Sequence, residues 1–471
     1  MTVPVKRSAA GDASLPRALA VGHALFLVVG LSWHFGGMDP SGRQLDVVAC
    51  LPAPIVTWLA WRAADASLRR QFAWIVAPLV AIALIVLVSA LNPSMHEVFA
   101  DGESIGFVPR TDHIRFLPTT IWPAETARDF LFNAGLILTS LNVFLARPLR
   151  SQQRFLLAGI AINAALLACV GTLFKLGHAT AILGAFPSSN PRFFATFFYH
   201  NHWGAFALLG ATAAGALAFH YLQRAREGWL HTPAPLLGVL TLLLLVSLAL
   251  SGARASFAAG ILFAVFLAGR LIFSGRRGGS RLGQRIGLAG SGIGLLCVAI
   301  GWFARDDLRF VWQKTNAQLG EMRAGGIGEL RLPLYRDIFQ LVREKPILGW
   351  GWRSFPQAYR RVQTIEVKQQ NEQKDMTWFR DAHNDWLQLL TELGAVGVSL
   401  AAVTLFCIAK VAPARWWRSS PSVEIVMGLV LLALLALVDF PFACPAVVVT
   451  AWALLLTAAA IAYDRSLRSE T

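Results

Sequence analysis

Charge is scarce in this chain: of 471 residues only 15% are Asp, Glu, Lys or Arg, 55% are hydrophobic, and the mean hydropathy is +0.54. That excludes a water-soluble fold and a disordered tail. Cysteine is scarce too. Cys50, Cys169, Cys297, Cys407 and Cys444 all fall in or at the ends of apolar runs, without metal-ligand spacing, so they read as small packing residues and exclude a disulfide scaffold. Acidic residues are few, 27 against 42 Lys+Arg, for a formal charge of +15. In a soluble protein that surplus points to nucleic acid, but here the basic residues sort by loop, so no nucleic-acid partner is expected. Inside the apolar runs ionisable residues are nearly absent. His23, His34 and His220 are isolated and Asp439 sits at a short turn, which reads as hydrogen-bonded or interfacial structure; a proton or ion path would need more. Gly290 and Gly294 read as a close helix approach.

What is present is a series of apolar runs long enough to span a bilayer, near 18–35, 47–61, 72–91, 130–146, 155–174, 203–222, 235–250, 255–273, 286–303, 386–409, 423–438 and 442–463. An all-α integral membrane fold of about twelve helices is expected. Alternate short loops hold the basic residues, among them Arg17, Arg62, Arg69, Arg70, Arg147, Arg150, Arg154, Arg224, Arg270, Lys410, Arg465 and Arg468. By the positive-inside rule these loops and both termini are cytoplasmic. The first apolar run carries no small-x-small cleavage pattern and reads as a retained helix. The chain then divides into helices one to nine with short loops (1–303), a large outer loop with amphipathic helices (304–385), and helices ten to twelve (386–471).

Three polar constellations fall on the outer side. In Ser188–His202, Arg192 and the group His200, Asn201, His202 stand at the entry to a helix. His-x-His on a helix points the two rings about 160° apart, and no carboxylate or thiol lies nearby, so a metal site is not expected. Capping by Asn201 is as good a reading as substrate contact. In Ser251–Ser256, Arg254 is the lone charge of a very short turn; a guanidinium beside backbone N–H groups suits a phosphate or pyrophosphate, while an arginine snorkelling to lipid headgroups looks the same. The loop 304–385, with 14 Lys+Arg and 11 Asp+Glu, holds the stretch 331–343, which sets Leu334, Tyr335, Ile338, Phe339 and Val342 on one stripe. An amphipathic helix along the outer membrane surface is expected, with Arg331 at its head. Asp381-Ala-His383-Asn384-Asp385 returns the chain to the bundle, so Arg331 and His383 can face one cleft.

Together, Ser251-Gly-Ala-Arg254, Arg331-x-x-x-Tyr335, Lys345-Pro-Ile-Leu-Gly-Trp-Gly351 and His383-Asn-x-x-Leu387 running into Glu392-x-Gly394-x-x-Gly397 resemble the O-antigen ligase and polymerase superfamily of bacterial surface-glycan enzymes. The motifs cover about residues 185–400. The resemblance implies a C-type membrane glycosyltransferase in the bacterial inner membrane, inverting and metal-independent, without a cofactor, and with its active site on the periplasmic face. Its donor is a glycan on undecaprenyl pyrophosphate and its acceptor a hydroxyl of lipid A-core or another glycan, both met among membrane lipids. On this resemblance Arg254 and Arg331 bind the pyrophosphate and His383 activates the acceptor hydroxyl. Arg192, Asn201, Tyr335 and Asn384 complete the substrate site, Arg192 as a third positive contact and Asn384 as an orienting or capping residue. The family often has tryptophan where Tyr335 stands, and Gln369–Asp375 matches no family pattern.

The chemistry agrees with the residues. Displacing a pyrophosphate builds negative charge on the leaving oxygens, which preorganised arginines stabilise. A neutral imidazole is a suitable base for a sugar hydroxyl. Three acceptors stay open on the same donor chemistry: lipid A-core for a ligase, which is favoured, a second lipid-linked repeat for a polymerase, and a protein hydroxyl for an O-oligosaccharyltransferase. A transporter or flippase of lipid-linked sugars is the reading from a different class, and it calls for broken or polar helices at the midplane.

Overall fold

The structure is a computed structural model that describes residues 13–39, 42–101, 103–188, 190, 192–225, 229–273, 282–305, 309, 312–313, 316–317, 320, 331–365, 367–368, 379–411, 417 and 419–470. Its helices in chain order are α1 (Ser14–Trp33), α2 (Arg43–Cys50), α3 (Pro52–Ala63), α4 (Ala66–Leu91), α5 (Pro123–Leu145), α6 (Arg150–Leu176), α7 (His200–Arg224), α8 (Ala234–Ser251), α9 (Arg254–Phe273), α10 (Leu282–Phe303), α11 (Arg331–Glu344), α12 (Phe355–Tyr359), α13 (Asp385–Lys410), α14 (Ser422–Leu435) and α15 (Pro445–Glu470). Among the described residues nine helical spans are long and apolar enough to cross a membrane. α10 and α14 enter that set only as shorter apolar helices, and α5, which carries Glu125, Arg128 and Asp129 in its first two turns, is outside it. The chain is a multi-pass membrane protein; helices occupy the twelve expected apolar runs, and nine of these runs meet the length and hydropathy of a membrane span among the described residues.

Local sequence explains most helix ends. Pro52, Pro123 and the Pro233 cap open α3, α5 and α8, where the missing proline N–H costs nothing. Asp65 caps α4 through Leu68 N at 2.8 Å, and Asn384 caps α13 through Leu387 N at 3.0 Å. Gly252, in the left-handed conformation, ends α8 and sets up the turn into α9. α7 and α15 form the buried centre; α7 packs on α6, α8 and α14, and α15 packs on α5. Leu84, Leu87, Phe273 and Trp302 are exposed on outer helices, as a lipid-facing surface requires.

Several expectations change. Two small antiparallel hairpins join the helices: β1 (Met95–Ala100) with β2 (Glu103–Pro109), and β3 (Ala181–Ile182) with β4 (Phe186–Pro187). A Cβ at Gly290 or Gly294 would meet nothing within 4 Å, so these glycines mark no close approach. Cys50 and Cys444 are buried packing residues, but Cys169 and Cys297 are exposed. His23 and His34 are hydrogen-bonded as expected, to Ala49 O at 2.9 Å and Asp46 Oδ1 at 2.9 Å, and Arg224 donates to His220 Nε2 at 3.0 Å.

The buried stripe of α11 is Leu334, Ile338 and Leu341, while Phe339 is half exposed. The reason is a partner other than lipid. α11 packs its stripe into a small core with Ile121, Trp350, Phe355 and Tyr359, onto which Met95 and Phe107 of the β1–β2 hairpin also pack. Asp337 is buried on the same face and is satisfied by Tyr359 OH at 3.1 Å and Thr364 N at 3.0 Å. The segment Gln369–Asp375 lies outside the described residues, as do Lys6, Arg7, Arg226, Arg276, Arg277, Arg281, Arg415 and Arg418.

Candidate active site

The residues after α11 are fixed to a break in α13. Gly394 has φ +64° and ψ −171°, which interrupts the helix and frees its hydrogen-bonding groups. The backbone of 346–351 takes them up: Ala395 N donates to Pro346 O at 2.8 Å, Val396 N to Ile347 O at 3.1 Å, Trp350 N to Thr391 O at 2.9 Å and Gly351 N to Glu392 O at 2.8 Å. A Cβ on Gly394 would lie 2.3 Å from Ile347 O, and one on Gly349 2.4 Å from Glu392 O. The Lys345–Gly351 and Glu392–Gly397 motifs are therefore one lock.

Eleven residues earlier, His383 stands where the chain enters α13. Its backbone is left-handed, with φ +51°, an uncommon conformation for a non-glycine residue. Tyr335 OH donates to His383 O at 2.9 Å, which ties the first turn of α11 to it. The imidazole sits edge-on to Phe440 at 4.7 Å and Phe379 at 5.7 Å. Burial pushes its pKa down to about 4; the charge of Arg331 adds to that shift and Asp381 opposes it. The ring is neutral near pH 7, and its Nδ1 is buried without a hydrogen-bond partner among the described residues.

Arg331, the first residue of α11, acts electrostatically on Tyr199 and Asp439 as well. Burial raises Asp439 to about 6 against the pull of Arg331, and burial with the Asp439 charge raises the Tyr199 hydroxyl. Tyr199 stacks on Phe440 at 5.2 Å and meets the His202 ring at 5.0 Å. Asn201 is not the cap of α7; its Nδ2 donates to Tyr199 OH at 2.8 Å, which orients the phenol. Arg331, Tyr335 and His383 thus form one group with Tyr199, Asn201 and Asp439. Asn384 adjoins it, with its side-chain oxygen committed to the α13 cap.

Arg254 opens α9 at the same end of the bundle and is half-buried. Its turn lies against α7: a Cβ on Gly204 would be 2.5 Å from Ser256 Oγ. The Ser256 hydroxyl and His202 Nε2 are, like His383 Nδ1, buried without a hydrogen-bond partner. Each is a buried polar atom whose hydrogen bond is not met among the described residues. Arg192 lies on the loop leading to Tyr199, where Arg192 N donates to Asn190 Oδ1 at 3.0 Å.

Residues 239–402 match the model of a family described as O-antigen ligase. This segment, about a third of the chain, is similar to that family. The matched segment holds Arg254, Arg331, Tyr335, His383 and Asn384; Arg192 and Asn201 precede it. No curated protein sequence matches the chain.

Two further features that escaped the sequence reading adjoin the group of Arg331 and His383. Arg353, itself left-handed at φ +61°, is buried between Asp129 at 3.1 Å and Asp381 at 3.5 Å, and Arg43 binds Asp129 and, at 3.1 Å, Glu125. Burial works against the Arg353 charge, but the carboxylates outweigh it and hold the guanidinium protonated. Trp352 Nε1 donates to Asp129 Oδ2 at 2.9 Å. The signal was Glu125, Arg128 and Asp129 just before an apolar run, and Asp381 two residues before His383. This ion network rims a cavity of about 1510 Å³ whose deeper wall is apolar, with Leu79, Ile137, Leu405, Leu429 and Leu455. Arg254, Arg331 and His383 do not line it; it approaches their group at Asp385 and Phe442. Among the described residues no three His, Cys, Asp or Glu side chains are grouped to hold a metal ion.

Proposed function

We propose that the chain is an O-antigen ligase-like inverting glycosyltransferase that moves a glycan from undecaprenyl pyrophosphate to a sugar hydroxyl of lipid A-core at the periplasmic face of the inner membrane. The observation that carries the reading is the pairing of Arg331 with a neutral His383, tied by the Tyr335 hydrogen bond at 2.9 Å. In this reading His383 takes the proton of the acceptor hydroxyl as that oxygen attacks the anomeric carbon. The bond from that carbon to the pyrophosphate breaks on the opposite face, and the leaving oxygens gain charge that Arg331 and Arg254 offset. Arg192, Asn201, Tyr335 and Asn384 hold the substrates or the groups that touch them. The apolar wall and charged rim of the large cavity suit a long lipid with a charged head. Twelve membrane helices, with both termini cytoplasmic, belong to the same proposal.

A transporter of lipid-linked sugars is the weaker reading. It uses broken helices as substrate sites, but the groups freed at Gly394 are already bound by residues 346–351.

The test is reconstitution of the full chain with undecaprenyl-pyrophosphate-linked glycan and lipid A-core, without added metal. Glycan appearing on lipid A-core in the wild type, and lost in Arg254→Ala, Arg331→Ala and His383→Ala, supports the ligase. Glycan lengthening on its own carrier makes the protein a polymerase. Movement of the donor across the bilayer without a new glycosidic bond makes it a transporter.

A further inference from the structure

We infer that the end of the bundle opposite His383 holds a binding site for a phosphate group. The C-terminal turn of α7, the end of α9, the chain before α14 and the end of α15 enclose a polar cavity of about 330 Å³, lined by His220, Gln223, Arg224, Arg270, Ser420 and Arg465 among others. It lies some 24 residues along α7 from His200, or roughly 36 Å at 1.5 Å per residue, so it is separate from the candidate active site.

Among the described residues the charges around the cavity are mostly positive. His220 feels Arg224, Arg154, Arg465 and Arg150, and Arg150 feels Arg468. Glu424 and Asp464 oppose them and both are already bound, Glu424 to Arg270 at 3.0 Å and Asp464 to Arg147 at 2.5 Å. The guanidinium groups of Arg224 and Arg465 make neutral contacts: Arg224 Nη1 donates to His220 Nε2 at 3.0 Å, and Arg465 donates to Ser419 Oγ and, at 2.6 Å, to Ser420 O. Arg270 and Arg465 are part-buried and Arg224 is exposed at the mouth; among the described residues these grouped cations outnumber the anions and repel one another, and a phosphate reduces that cost while accepting several N–H and O–H bonds at once. The volume is at the small end for ligand sites, enough for a head group and too little for an acyl chain. A phospholipid diester and a free phosphate share this chemistry; basic pockets between membrane helices take the former.

The experiment uses the full chain in phosphatidylcholine nanodiscs, in three arms: no addition, phosphatidylglycerol in the bilayer, and millimolar inorganic phosphate. Thermal midpoint and lipids retained in native mass spectrometry are read for wild type, Arg224→Gln and Gln223→Glu, the last placing a carboxylate in the cavity without touching the Arg465 contacts. Phosphatidylglycerol is expected to raise the wild-type midpoint by ~2 °C and to leave at least one more retained lipid than in either variant. Exposed Arg62→Gln should behave as wild type. A rise with inorganic phosphate alone, lost in both variants, supports the site with a free phosphate as its ligand. No rise in either arm, or a rise that Arg224→Gln and Gln223→Glu retain, overturns it.

Discussion

His383 and Gly394 stand eleven residues apart on one strip of chain, both with positive φ, and their surroundings could hardly differ more. Around Gly394 four backbone groups freed by the break are taken up by residues 346–351, and a single methyl would collide with Ile347 O. Around His383 a ring nitrogen is buried without a partner, and the neighbours are a tyrosine hydroxyl, two aromatic edges and an arginine charge. The left-handed backbone at Gly394 builds the fold; in the proposed function that at His383 presents the imidazole to the acceptor. Within a single family-like motif, Gly394 locks the backbone and His383 is the residue proposed to react.

Substitutions that separate stability from turnover sharpen this contrast. The largest effect is expected for Arg353→Met, which takes the shared cation from buried Asp381 and Asp129, leaves Asp129 with Arg43 as its ion-pair partner, and lowers stability by about 3–5 kcal/mol, read as a fall in thermal midpoint in detergent. His383→Asn comes next: asparagine tolerates the left-handed backbone, so the midpoint should hold while glycan transfer falls by about 10²-fold or more. A midpoint that collapses with activity would put His383 on the structural side of the comparison. For Gly394→Ala the order reverses, with stability falling by about 2 kcal/mol or more and activity per folded molecule less affected. Smallest is Lys345→Met, which removes a hydrogen bond of 2.8 Å to Thr119 and costs about 1 kcal/mol.

The acid limb of the pH–rate profile sharpens the reacting half. Burial and Arg331 lower the His383 pKa, so the imidazole stays neutral below the ordinary value near 6.5 and, with His383 as the proposed base, activity should fall only toward pH 4. Arg331→Gln removes one cause of the shift and should move the residual activity's limb to higher pH.

Most of the helices were legible because a bilayer imposes long apolar runs, and each of the twelve runs has its helix. The Arg331, Tyr335 and His383 group was legible because polar residues are rare beside such runs. The hairpin at 95–109 was not, since its stability comes from Met95 and Phe107 packing against a distant core. Phe339 was placed on the buried stripe because periodicity gives the face of a helix within one residue's turn, and only the partner core fixes its centre on Leu334, Ile338 and Leu341. The Arg353 network joins residues 43, 125, 129, 353 and 381, a pairing that sequence spacing does not encode.

The central claim is that Arg331 and His383 work as one site, and a double-mutant cycle on glycan transfer tests it most directly. Arg331→Ala and His383→Asn are measured singly and together in the reconstituted system. The account predicts strong non-additivity, the double variant being scarcely slower than the worse single one. Losses that multiply would mean that the two residues act independently, which contradicts it.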